Sequence, residues 1–241
     1  MVEVSIVAPT MHEERAPEIT KEIFKVFGKN VEVIIVDKSN RPYRRLFRKT
    51  GAKVIVQRTK GYEGAVMEGF RAARGTKVLA SIDPDGTYSV RDLKRVVDAV
   101  VRGSYDFVSG DRSGCSNEAM LPHLKLGNFV LAVVFDLLFL QRMRDVFSGS
   151  FAMKRAAFDS IRNVKTYHSG TLLFEMELAK RHYRLKNVHV SYEPRRGTES
   201  KLAKSKVVYG FKTFREMLNV RGREAYHIIS EMIEGRFGRN Q

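Results

Sequence analysis

Residues 2–37 read VEVSIVAPTMHEERAPEITKEIFKVFGKNVEVIIVD, a β-branched run, an amphipathic stretch and a second β-branched run that ends on an acid. Val2 to Ala8 and Val31 to Val36 are too short and too β-branched for helices, so each predicts a strand. Between them Pro17 can open a helix, because its missing N–H would have no partner in the first turn. Ile19, Ile23, Phe24 and Phe27 then recur on one face, which predicts a helix to Phe27 lying on a sheet. Strand, helix, strand in this order is the parallel crossover unit, and it places the chain in the α/β class.

The alternation continues outward. Tyr43 to Thr50 reads as a helix, Lys53 to Gln57 as a strand, Gly61 to Arg74 as a helix and Lys77 to Ile82 as a strand. Ser89 is placed to cap a helix running to Arg102 with Val90, Leu93, Val96, Val97 and Val100 inward, and Tyr105 to Ser109 is the next strand. Beyond Asp111 the pattern changes. Arg112 to Leu121 is a polar loop, a long apolar helix follows, and Gly149 to Met153, Thr171 to His182 and Lys186 to Tyr192 read as strand, helix and strand. Glu193 to Lys206 has no apolar stripe.

Composition narrows the function classes. The 241 residues are 43% apolar and 10% aromatic, which suits a folded globular chain and excludes collagenous or wholly disordered ones. The formal charge is +16, so the surface attracts phosphates, nucleic acid or anionic lipid. Residues 181–241 hold 14 basic and 6 acidic side chains, and anion contacts are expected to concentrate there. The one cysteine, Cys115, makes no intramolecular disulfide, has no neighbouring histidine to activate it and points to a reducing compartment. The N-terminus has no basic head leading into an apolar core, so no signal peptide is expected. The apolar run from Phe129 to Leu140 is 12 residues, interrupted by Asp136, against about 20 for a bilayer crossing, and no transmembrane segment is expected.

In open α/β sheets ligands bind beyond the C-terminal ends of the strands. Those ends carry Pro9 and Glu13, then Asp37, then Asp83-Pro84-Asp85-Gly86-Thr87-Tyr88. Asp83 and Asp85, two apart in an extended or turning chain, can face one side and hold a hard cation that bridges a diphosphate. Taken alone, Asp-Pro-Asp-Gly is also an ordinary turn, since each residue type favours one. An EF-hand is disfavoured because the later acidic ligands are missing, and six scattered histidines argue against zinc.

The stretches VAPTMHEE (7–14), VIIVD (33–37), TKGYEGAVMEGFRAARG (59–75), SIDPDGTY (81–88) and SYEPRRGTESKL (191–202) resemble, in order and near spacing, family 2 glycosyltransferases. Within that family they look most like the polyprenyl-phosphate (dolichol-phosphate) mannose synthase group. The resemblance implies a GT-A-type, Rossmann-like nucleotide-sugar-binding domain with a mainly parallel sheet over residues 1–202, and a basic helical C-terminal extension over 203–241. It implies an inverting, metal-dependent hexosyltransferase using Mg²⁺ or Mn²⁺. The donor would be a nucleoside-diphosphate sugar, mannose or glucose favoured, and the acceptor a polyprenyl or dolichyl phosphate. The enzyme would sit in the cytoplasm, peripheral on the anionic membrane surface.

By the same resemblance Pro9, Glu13, Val36 and Asp37 border the base and ribose, Gly61 and Gly64 sit in the phosphate-approaching stretch, and Asp83 and Asp85 meet metal and diphosphate. Thr87 stands where the group often has Gln or His. Arg195 and Lys201 match the basic pair that acts on the leaving group, and Arg112 and Lys125 fall where acceptor-phosphate ligands lie, with Arg195 and Lys201 shared between the two tasks. Met11 replaces a usual Tyr and Lys38 a frequent second Asp. Asp145 and Ser148-Gly149 match the start of the family's D-x-x-S-G-F-R element, whose last two residues are here Ser150 and Phe151.

Two other functions fit parts of the chain. A hydroxyl acceptor would need a general base, for which Asp111 and Glu175 are the available carboxylates. A nucleic-acid-binding module would explain the pI near 10.0, but charge is its only support and no nucleic acid is expected as partner.

Overall fold

The computed structural model describes residues 2–39, 41–103, 105–165, 170–195 and 210–222, with the backbone alone at 41 and 42. Among the described residues seven strands form one sheet in the order β3-β2-β1-β4-β6-β5-β7: β1 (Val4–Thr10), β2 (Val31–Asp37), β3 (Lys53–Val56), β4 (Val78–Ser81), β5 (Phe107–Asp111), β6 (Phe151–Lys154) and β7 (Leu185–His189). All pairings are parallel except those of β6, which runs antiparallel to both β4 and β5. The helices are α1 (Ala16–Phe27), α2 (Arg41–Arg48), α3 (Tyr62–Ala72), α4 (Val90–Arg102), α5 (Pro122–Phe139), α6 (Arg155–Ile161) and α7 (Leu172–Lys180), and a further helix covers 210–222.

The expected elements are all present, with ends moved by a few residues. β2 is buried along its whole length, as a central parallel strand covered on both faces must be. One core layer packs α3, α5, α6 and α7 side chains, among them Phe70, Phe135, Phe158 and Phe174, on one face of the sheet. The other packs Ile19 and Ile23 of α1 with Leu93, Val96, Val97 and Val100 of α4 on the opposite face. Ser89 caps α4 as expected, its hydroxyl accepting from Arg91 N–H at 3.2 Å. Helix α6 was not anticipated, because seven residues give too short a window for periodicity to show.

Helix α5 departs most from expectation. It begins seven residues before the apolar run, at Pro122, and over its 18 residues it is long and apolar enough to cross a membrane by length and composition. Only Ala132, Phe135 and Phe139 are buried, and they join the core. Leu126, Phe129, Val130, Val133 and Leu137 are exposed, Phe129 by 59% and Leu137 by 74%. The expected C-terminal extension is described only over 210–222, where Thr213, Met217 and Val220 are buried and Phe211, Phe214 and Leu218 are exposed.

Candidate active site

Parallel register brings Thr10 opposite Asp37, and Val7 opposite Ser81, so β1, β2 and β4 end along one edge. Because β6 is antiparallel, its start lies at that same edge, with Phe151 opposite both Ser81 and Ser109. The chain therefore delivers Asp37, Asp83, Asp85, Asp111–Arg112 and Ser148–Gly149 to one side of the sheet.

Asp83 and Asp85 follow β4. Asp85 Oδ1 accepts from the Thr87 N–H at 3.0 Å and from its hydroxyl at 2.7 Å, which fixes that side of the carboxylate. Gly86 between them has φ +80°, a left-handed value that favours glycine, and Arg15 lies where a side chain would go. Burial and the neighbouring Asp85 push the Asp83 carboxyl up to about 7, against the pull of Tyr62, Arg112 and Arg195. A divalent cation between the two would relieve the repulsion that Asp85 exerts on the Asp83 carboxylate. No group of three metal-ligating side chains occurs among the described residues, so the protein's share of such a site would be the two aspartates. Magnesium-type sites commonly use one or two carboxylates and take the rest from phosphates and water.

A second carboxylate group sits at the same edge. Asp37 is fully buried, its Oδ1 accepting from Ser39 N–H at 2.9 Å, with Arg44 Nε 3.7 Å from Oδ2. Asp37 Oδ2 and Thr10 Oγ1 are buried with no hydrogen-bond partner among the described residues. The Val36 side chain lies in the core, so it turns no side chain toward this edge. Gly61 precedes α3 with φ +85°, and a Cβ on Gly64 would meet the Thr59 hydroxyl at 2.5 Å, so both glycines also meet local packing demands.

Arg195 reaches back over this edge. Its Nη2 donates to Glu13 Oε1 and Oε2 at 2.6 and 2.7 Å, and Nη1 stands 3.6 Å from Asp85 Oδ2. Glu193 N–H donates to Thr87 O at 2.9 Å, and Tyr88 forms an isolated bridge with Tyr192, so the segment after β7 is pinned to the Asp83–Tyr88 turn. Lys201 lies outside the described residues.

Arg112, buried, forms a two-pronged pair with the fully buried Asp145 at 2.6 and 2.8 Å, and its guanidinium lies 5.2 Å from the Tyr192 ring centre. Burial works against the Asp145 carboxylate, yet Arg112 and three N–H or guanidinium contacts hold it below the usual range. Asn187 supports the pair, accepting from Arg144 and Asp145 N–H and donating to Asp145 O at 3.0 Å. Lys125 donates to Cys115 O and, at 3.0 Å, to Asn117 Oδ1. Arg112, Lys125 and Arg144 line a cavity of about 620 Å³ with Met120, Leu126 and Phe129.

Tyr88 joins the two halves. Its hydroxyl accepts from Gly149 N–H at 2.8 Å, its ring meets Tyr192 edge-on at 5.0 Å, and Gly149 lies so close to Asp83 that a Cβ would fall 2.0 Å from Oδ2. Sequence reasoning placed none of Tyr88, Tyr192, Asn187 and Arg144 in the site, and took Arg144 only as a basic flank of the apolar run that ends at Leu140. The two tyrosines lie within quoted motifs, whereas Asn187 and Arg144 give no local signal, because pairing of β7 with β5 is what brings Asn187 beside the loop.

The signature of glycosyl transferase family 2 matches residues 5–162. The chain belongs to that family. It is 31% identical over 202 residues to a dolichyl-phosphate hexose transferase of Haloferax volcanii, a match covering 83% of this chain and 86% of the relative. It is 28% identical to glycosyltransferase AglJ of the same organism, covering 80% and 63%. The fold is similar to that of glucosyl-3-phosphoglycerate synthase from Mycobacterium tuberculosis, solved with Mn²⁺, uridine diphosphate and phosphoglyceric acid. That likeness has a TM-score of 0.71 at 16% identity and covers 91% of this chain and 78% of that one. This family 2 glycosyltransferase thus has a GT-A fold, with its strand-end acids at the edge where the fold takes ligands.

Proposed function

We propose that this glycosyltransferase moves a hexose, mannose or glucose, from a nucleoside-diphosphate sugar to a polyprenyl or dolichyl phosphate, with inversion, at the cytoplasmic face of a membrane. The observation that carries the reading is the cavity whose lining combines Arg112, Lys125 and Arg144 with Met120, Leu126 and Phe129. It pairs phosphate-seeking cations with apolar side chains, and Leu126 and Phe129 continue into the exposed face of α5. A lipid phosphate has that same division of chemistry. The name of the Haloferax relative supports the same acceptor.

In this reading Asp83 and Asp85 hold Mg²⁺ or Mn²⁺, which when bound neutralises charge growing on the diphosphate. Asp37 and Thr10, each with a buried oxygen that has no hydrogen-bond partner among the described residues, face the nucleoside, with Pro9, Val36 and Glu13 around it and Gly61, Gly64 and Thr87 bordering the phosphates. Arg195, with Lys201, meets the leaving diphosphate. An oxygen of the acceptor phosphate attacks the anomeric carbon, and the bond to the diphosphate breaks with its electron pair leaving on the nucleotide. Arg112 and Lys125 hold the acceptor, which is already ionised near neutral pH and asks for no strong base. A hydroxyl acceptor would need one, and neither candidate suits. Asp111 is buried with Oδ1 accepting from Ser113 N–H, and Glu175 is fully buried, with burial and nearby Asp145 pushing its carboxyl well up.

The test supplies UDP-glucose or GDP-mannose with Mn²⁺ and either a short polyprenyl phosphate or soluble sugar acceptors. Transfer to the lipid phosphate, of inverted anomeric configuration and lost in Arg112→Ala, is expected. Transfer only to hydroxyl acceptors would overturn the reading.

A further inference from the structure

The donor edge carries a positive charge of its own, set against the oxygen that a metal would need. Thr87 occupies Asp85 Oδ1 twice, leaving Oδ2 as the oxygen it does not bond, and it is Oδ2 that Arg195 Nη1 faces at 3.6 Å. The other arm of the same guanidinium is held by both oxygens of Glu13 at 2.6 and 2.7 Å. Glu13, Asp85 and Arg195 are each largely sequestered, with side-chain exposures of 15%, 13% and 22%, so their charges are less screened than surface charges. A divalent ion entering beside Asp85 would meet a cation already there, and the repulsion between the two opposes its binding.

We propose that Arg195 is the resident counter-cation of the donor-free site and competes with the divalent ion for Asp85, and that Glu13 is a positioning residue that sets where Arg195 goes when it yields. This rests on the reading of Asp83 and Asp85 as the cation site. Guanidinium has five N–H donors in a rigid fork. With Nη2 on Glu13, loss of the Asp85 contact leaves Nη1 and Nε directed at whatever follows the cation in, and a diphosphate oxygen is the matching acceptor. The exchange swaps an Arg–carboxylate contact for an Arg–phosphate contact without letting go of Glu13. The cation alone then binds against competition, whereas cation and diphosphate together bind with Arg195 as an added ligand.

The experiment titrates Mn²⁺ into the full chain, following free Mn²⁺ by electron paramagnetic resonance, with and without UDP or GDP. Arg195→Ala is expected to raise the affinity for Mn²⁺ alone about three- to tenfold, the range for losing one partly screened charge contact, and to weaken the ternary nucleotide complex. Glu13→Gln is expected to lower affinity for Mn²⁺ alone, because Arg195 then has only Asp85 to pair with. Circular dichroism checks that each variant is folded, and the two variants test the same competition from opposite sides. No gain in Arg195→Ala, whether both proteins bind equally or neither binds, overturns the competition. Asp85→Asn separates the two claims: if it binds Mn²⁺ and nucleotide as wild type does, the cation site itself is wrong. If it loses them while Arg195→Ala shows no gain, only the competition falls.

Discussion

Gly149 is not in a left-handed conformation, and nothing in its backbone demands glycine. What demands it is the Asp83 carboxylate, 2.0 Å from where its Cβ would sit, while Tyr88 holds its N–H from behind. Gly149→Ala must therefore displace Asp83 and, under the proposed cation site, should lower metal-dependent nucleotide affinity at least about tenfold with the fold retained, as read by calorimetry and circular dichroism. Asp83→Asn and Asp85→Asn should each do the same, and a double variant that keeps cation-dependent binding would remove the site. Much at this scale was legible in the sequence. Asp83-Pro84-Asp85-Gly86 announces itself by composition and by its place after a strand. The Asp145–Arg112 pair and the Asn187 brace do not, since they join residues 33 and 42 apart through tertiary packing.

Among the elements, β1 and β2 are tied at the end opposite the site. Glu32, buried, accepts from the Ser5 hydroxyl and Arg74 N–H, both at 2.7 Å, and from Arg74 Nε at 3.0 Å, and Ser5 Oγ in turn accepts from Gly75 N–H. Burial raises the Glu32 pKa, but those bonds outweigh it and the net shift is downward. A carboxyl with a depressed folded value contributes stability present above its unfolded value of about 4.5, and that stability is lost as pH falls through the lower folded value. Glu32→Gln should thus cost about 1–3 kcal/mol near neutrality and much less in acid, measured by urea unfolding at pH 7 and pH 3. The elements themselves were legible because hydrophobic period and β-branching set them locally. Strand order was not, because the position of β6 between β4 and β5 depends on pairing across more than 40 residues.

For the whole molecule, the formal charge of +16 and the apolar outer face of α5, joined by Phe211, Phe214 and Leu218, predict reversible attachment to anionic vesicles. Sedimentation with phosphatidylserine liposomes should be strong at low salt and weaken as salt screens the basic surface. Phe129→Glu with Leu137→Glu should abolish it without unfolding, because both side chains are mostly exposed. Phe135→Glu should unfold the domain instead, because Phe135 is fully buried and stacks on Phe139 at 4.8 Å. Sequence periodicity could not tell these faces apart, since α5 is apolar nearly all round and only the packing shows which side is inward.

The antiparallel strand also dictates the order in which the molecule can be assembled. β3, β2, β1 and β4 pair with one another using only residues 4–81, so that half of the sheet is complete as soon as its chain emerges from the ribosome. β5, next in sequence, has no place beside β4 and must wait for Phe151–Lys154 to arrive and bridge the gap. Synthesis at about 5–20 residues per second makes that delay several seconds, during which Phe107 and Val108 have no sheet to join. Nascent chains stalled just short of residue 151 should therefore carry a protease-resistant N-terminal half and an exposed β5, and resistance should spread to β5 only when β6 has been released.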